Sequence, residues 1–308
     1  MNTQNNAAKF AFFYMLSLVA LIFMALSSGM IIFQIINKNI LDVIDSYRSN
    51  FSSEQLKFAI SALIISAPIY YFTMRQIFKN LVSGALEKDS EIRKWLTYFV
   101  LLVTSCVMIG WLIGTVNSFL DGELTTKFIL KALTAIGISA TVFSFYLYDI
   151  KRENVNVKDK IVQTFLYASL IAIIVVFTAS LFTVESPTET RNRKLDEAIL
   201  EKFDEIDRGM GEYYNSNKNL PENLDELVLE FSYITEDDLV DPTAKKKFEY
   251  KKISVDTYEL CADFRMSNKG DNEDDYRGYK DRWPHDAGHQ CLKQKVRDFY
   301  DKELMMIR

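Results

Sequence analysis

The sequence predicts an α-helical transmembrane bundle of five spans followed by a small α+β extracytoplasmic domain made of a long helix, a short helix and an antiparallel β-hairpin. Three observations predict it. Five apolar runs are each long enough to cross a bilayer, Lys and Arg cluster between alternate runs, and the composition changes abruptly near residue 184. Up to that point the chain carries 15 Lys+Arg against 11 Asp+Glu, a net +4, and the remainder carries 21 against 30, a net −9. The two parts return the whole-chain −5, so the average conceals a lipid-soluble half (1–184) and a polar half (185–308).

A hydrocarbon core of about 30 Å needs roughly 20 apolar helical residues. Residues 10–36, 58–78, 95–120, 128–148 and 162–183 meet that length. The first run is followed by small residues, as a signal peptide would be, but it is longer than an h-region and only Lys9 precedes it. An uncleaved span is the reading adopted.

Basic residues in short loops are retained on the cytoplasmic side. Lys9, the second loop (Arg75, Lys79, Lys88, Arg93, Lys94) and the fourth (Lys151, Arg152, Lys158, Lys160) place ten cations on one side, against four (Lys38, Arg48, Lys57, Lys127) on the other. The N-terminus is therefore expected in the cytoplasm, and five crossings carry the C-terminal half outside. In the first outer loop Ile40, Leu41, Ile44, Tyr47 and Phe51 recur at helical spacing. They suit either a short interfacial helix or a solvated helix packed on the outer domain.

Within the spans, Gly110 and Gly114 have the small-xxx-small spacing that lets backbones approach closely. Packing inside the bundle is expected first, a homodimer contact second and a ligand cleft third. Lys131 stands about two turns into the fourth span, where an ionisable group is a functional candidate by default. The alternative preferred for it is snorkelling to the outer interface beside Glu123 and Lys127. Asn117 and Cys106 are polar enough for a bundle interior, yet neither has the carboxylates or broken helices of an ion-coupled transporter beside it.

The segments FAISALIISAPIYYF (58–72), IRKWLTY (92–98), DGELTTKFILK (121–131) and FYLYDIKR (145–152) resemble a bacterial domain-of-unknown-function membrane family, number 5671, over roughly residues 10–152. The resemblance implies a helical bundle in a bacterial cytoplasmic membrane and brings no activity. It also implies an acid after the Ile-Gly of the third span, where this chain has Trp111, so no charge-dependent role carries over to that position.

In the outer half, Ser186-Pro187 is a cap and first-turn pair, and Leu195, Ile199, Phe203, Ile206, Met210 and Tyr213 continue it as a one-faced helix. A turn at 215–221, a short helix around Leu224, Leu227 and Val228, and a break at Asp241-Pro242 follow. Residues 248–254 and 257–264 alternate as a hairpin, with Tyr258, Leu260, Ala262 and Phe264 on one face and Cys261 on the other. This order, with LPENLDEL (220–227) and YELCADF (258–264), loosely resembles the globular part of type II pseudopilins, whose cleavage signature is missing here. A W-x-H-x-x-G-x-x-C ending (283–291) fits extended members of the membrane family.

Export to an oxidising compartment implies that Cys261 and Cys291 are joined, pinning residues 266–290 to the sheet. Both histidines, His285 and His289, lie beside Cys291. A metal site there would need the thiol that the disulfide consumes, so a structural loop is preferred. The acidic run 271–275 lacks the glycine and spacing of an EF-hand and is expected to be solvated. No cofactor is expected.

Phosphate-loop, G-x-S-x-G, H-E-x-x-H and dinucleotide motifs are absent, so no enzyme activity is supported. The acidic outer half excludes nucleic acid as a partner. The expected partners are the lipid bilayer, an envelope protein and a second copy of the chain. The function these features suggest is an envelope protein whose bundle anchors an extracytoplasmic interaction or sensing domain. A small-solute transporter or channel-like bundle is the alternative, and a metal-binding outer-domain enzyme the third.

Overall fold

A computed structural model describes residues 3–40, 51–84, 90–152, 159–269 and 282–296. The interfacial segment expected within 40–51 falls almost wholly outside these, as does the acidic run 271–275. The chain divides into two compact units, Met1–Val184 and Glu185–Arg308.

The first unit is all helical: α1 (Thr3–Asn39), α2 (Ser53–Val82), α3 (Glu91–Leu120), α4 (Thr126–Lys151) and α5 (Lys160–Leu181). All five are long and apolar enough to cross a membrane. The first four helices are longer than their apolar stretches and α5 starts two residues before its own, since polar residues beside the stretch can begin a helix. Ser52 caps α2 by accepting the Gln55 N–H, Thr125 caps α4 through Phe128 N–H, and Asp159 caps α5 through Ile161 N–H. Many Ser and Thr hydroxyls inside the spans bond a carbonyl of their own helix, as Ser28 does with Met24 (2.6 Å) and Thr104 with Val100 (2.8 Å). Such bonds let an apolar helix carry Ser and Thr at low cost.

Helix α1 packs along α2 and α3 along α4, while α5 lies on α1 and α2. The core between α1 and α2 is largely aliphatic, with Ile31, Leu56, Ala59 and Leu63 fully enclosed. By contrast α3 and α5 turn Leu112, Ile113, Ile171 and Val175 outward, the apolar surface that a bilayer covers.

The second unit opens with α6 (Pro187–Asn217), then α7 (Asp225–Glu230) and a 3₁₀ turn (Glu236–Leu239). It ends in an antiparallel sheet of order β1 (Glu249–Lys252), β2 (Thr257–Phe264), β3 (Gly288–Lys295). The cap at the start of α6 is a full capping box: the Ser186 hydroxyl accepts the Glu189 N–H at 3.2 Å and the Glu189 carboxylate accepts the Ser186 N–H at 2.8 Å. Ile199, Phe203, Ile206 and Met210 on α6 meet Tyr258, Leu260, Ala262 and Phe264 on the sheet, and Phe203 sits edge-on to Phe248, Phe264 and Trp283. Gly209 allows the close passage of α6 over the chain at Ile234, whose Cδ1 would lie 2.3 Å from an added Cβ. At the Asp241-Pro242 break, the Asp241 carboxylate accepts N–H bonds from Thr243 (2.6 Å) and Ala244 (2.9 Å), a side-chain-mimicked turn.

The sheet corrects one expectation. The segment after Trp283 is a third strand rather than a loop laid over a two-stranded hairpin, and it pairs with β2 along its whole length. Gly288, at φ +98°, supplies the left-handed residue that turns the chain into β3. Polar residues hide this strand in the sequence: Gln290 and Gln294 stand opposite Ala262 and Tyr258, interrupting the alternation that Leu292 and Val296 carry alone.

Candidate functional site

Between the α1–α2 pair and the α3–α4 pair lies a cavity of about 710 Å³. Its walls are aliphatic and aromatic side chains of α1, α3 and α4, from Leu18 and Phe99 at one end to Phe33 and Trp111 toward the other. The Trp111 ring is held edge-on to Phe33 (5.6 Å between centroids) and tilted against Phe128 (5.9 Å). Polar groups gather where α1 ends and α2 and α4 begin. There Gln34 donates to Gln55 (2.8 Å) and accepts from the Ser52 backbone N–H (2.8 Å), with Asn37 and Lys131 alongside.

Lys131 is 9 % exposed and Lys127 3 %, so neither extends into the surroundings; Lys131 faces the cavity. The expected snorkelling is replaced by an inward orientation, because the α3–α4 pairing turns that face of α4 toward α1. Asn117 is not interior. It is exposed in the last turn of α3 and donates to Asp121 (3.3 Å). Cys106 is exposed too. An added Cβ on Gly110 would meet nothing within 4 Å, and one on Gly114 only the Phe128 ring at 3.7 Å, so the glycine pair brings no helix to close approach within the chain.

At the opposite end of the bundle the structure assembles a charged cluster that no local spacing announces. Arg93, 3 % exposed at the start of α3, donates to the Asp149 carboxylate (2.8 Å) and to its backbone carbonyl (2.7 Å) on the last turns of α4. Arg152 approaches the other Asp149 oxygen at 3.4 Å and Asp159 at 3.9 Å, and the Tyr148 hydroxyl donates to Asp159 at 2.7 Å. Three helix ends are joined in this way. In the sequence Arg93 and Arg152 register only as loop cations. The available signal was Asp149, a lone acid inside an apolar helix three residues before an arginine.

In the C-terminal domain Cys261 and Cys291 are directly opposed in β2 and β3, with sulfurs 2.11 Å apart in a disulfide. The two histidines part company. His285 is 2 % exposed, stacks on Phe264 at 3.9 Å between centroids, and donates from Nδ1 to the Trp283 carbonyl (2.9 Å). Burial pushes its pKa below the ordinary value. His289 is exposed, with Nδ1 3.1 Å from Asp263 and Nε2 3.9 Å from the Cys291 sulfur. Among the described residues, the potential metal donors that converge are therefore Cys261, Cys291 and His289, without His285, and the disulfide withholds both thiolates.

Carboxylates on α6 hold the far end of β2 and the approach to β3. Asp196, buried, accepts the backbone N–H groups of Arg265 (3.0 Å) and Met266 (2.8 Å). Asp204 accepts the Trp283 indole N–H (2.7 Å) and pairs with Arg282 (2.9 Å), and Asp207 takes the Tyr258 hydroxyl and Arg282. These are structural contacts around a packed tryptophan.

The buried histidine makes the domain sensitive to acid. Its folded-state pKa lies below the ordinary 6.5, so below about that pH the unfolded chain binds more protons and folding stability falls. Thermal melts should lose temperature as the pH drops from 7 through 6.5 toward the depressed value, and His285→Gln should flatten that slope even if it lowers stability throughout. Asp286, Lys269 and Asp196 act on the same ring and are unchanged in this comparison.

With the cavity and the clusters placed, the likeness to known proteins takes on a location. Residues 11–146 match the model of the family described as Domain of unknown function (DUF5671). The match covers somewhat under half of the chain and contains every residue that lines the 710 Å³ cavity, together with Arg93 but not Asp149. No curated protein and no solved structure matches the chain. The expected resemblance of the C-terminal domain to pseudopilin globular parts is not shown by these comparisons.

Proposed function

We propose that the five-helix bundle anchors the C-terminal domain on the extracytoplasmic face of a bacterial cytoplasmic membrane, where that domain acts in interaction or sensing within the cell envelope. The observation that carries this reading is the pair Cys261 and Cys291, set in register and bonded after the fifth span. Disulfides persist in oxidising compartments. The alternation of cations between spans supports the same side, ten against four.

A reporter fused after Arg308 tests the placement. A phosphatase that needs oxidising conditions should be active there and a fluorescent protein that folds in the cytosol should be dark; the reverse pattern rejects the placement and the envelope role together. Crosslinking of intact cells followed by recovery of the full chain should then yield a reproducible envelope protein. The cavity beside Lys131 favours a second reading, a solute-handling bundle with the outer domain as regulator, although the mostly apolar walls give a polar solute few partners along most of its length.

A further inference from the structure

We propose that the cavity between the α1–α2 and α3–α4 pairs is a binding site for an anionic membrane lipid, with an acyl chain in the apolar trough and the anionic head at Lys131. The inference does not depend on which side of the membrane carries the C-terminal domain.

Size comes first. Protein interiors are packed nearly as tightly as organic crystals, and a space of about 710 Å³ falls in the range of ligand pockets rather than packing defects. Shape and polarity then restrict the occupant. Along α1 the lining runs from Leu18 to Asn37, about 28 Å at 1.5 Å per residue, and only its last turn is polar. Thr104 faces the trough but bonds carbonyls of its own helix, and Ser139 adds one further hydroxyl. A polar solute in the trough would lose hydration along most of that length without replacement bonds. An amphiphile would lose nothing there, because its chain leaves one apolar medium for another, and its head would find the amides of Gln34, Asn37 and Gln55.

Charge selects the head. Among the described residues that line the cavity Lys131 is the cation and there is no Asp or Glu. An ammonium has three N–H donors, and a lipid phosphate brings the anionic oxygens that suit them. Lys131 lies five residues inside the start of α4, about 7.5 Å from that end, near the polar end of the trough.

The test uses the full chain in nanodiscs of phosphatidylcholine containing one tenth phosphatidylglycerol, followed by native mass spectrometry. The wild type should retain one phosphatidylglycerol per chain with a preference of at least about tenfold over phosphatidylcholine, the size of one charge-assisted contact. Lys131→Gln should lose that preference while still retaining a lipid, and Ala135→Trp, which fills the trough, should retain neither. A phosphatidylglycerol carrying a diazirine in its acyl chain should crosslink to the cavity faces of α1 and α3. Equal retention by wild type and Ala135→Trp, or crosslinks spread over the outward faces of α3 and α5, would mean surface lipid only and overturn the proposal. Should Ala135→Trp not fold, as judged by its elution profile, the crosslink map of the wild type decides alone.

Discussion

Cys261→Ser is expected to destabilise the C-terminal domain by about 3–4 kcal/mol on the chain-entropy account, because a staple closing a loop of 30 residues' separation is released in the unfolded chain. At roughly 4–8 °C per kcal/mol for a domain of this size, the melting temperature should fall by more than about 10 °C. Residues 185–308 hold a core of their own, so the melt can be followed on that segment. Cys291→Ser should give the same loss, and the double variant no more than either single one. Reductant should bring the wild type down to the same temperature and leave the variants unchanged. A melt indifferent to both substitution and reductant would show that the strand pairing suffices without the bond.

The second large effect belongs to the opposite end of the bundle. Removing the guanidinium in Arg93→Ala leaves the Asp149 carboxylate buried with only the longer Arg152 contact, and breaking a buried pair from one side costs about 3–5 kcal/mol. Thermal unfolding in detergent should show that loss for Arg93→Ala, whereas the double change Arg93→Met with Asp149→Leu should recover most of it, since no uncompensated charge remains. The double variant should be the more stable of the two, and that difference is the readout. Equal stability of single and double variants would mean that water reaches Asp149 and the pair contributes little.

The cavity and the charged cluster show why a membrane half is only partly legible from its residues. In a soluble helix such as α6 the apolar stripe declares the inward face, and Ile199, Phe203, Ile206 and Met210 are buried where their spacing places them. Helices α3 and α4 are apolar nearly all round, so the sequence carries no such mark. The rotation that turns Lys131 into the cavity, Asn117 outward and Gly110 away from any neighbour is fixed by helix packing, which in lipid rests on shape and hydrogen bonding rather than on hydrophobic contrast. Arg93 and Asp149 meet across 56 positions for the same reason. In the C-terminal domain β3 escaped because two glutamines occupy its inward register, and its pairing with β2 separates His285 from His289 although four positions divide them.

By itself the amino-acid order determined how many segments are long and apolar enough to cross a bilayer, where helices are capped, and where the polar half begins, because length, capping and composition act over one turn or one run. Which side chains face one another was decided only by the fold. Lys131 with Gln34 and Gln55, Arg93 with Asp149, and Cys261 with Cys291 are brought together by helix rotation and strand register, and both are set by partners distant in the chain.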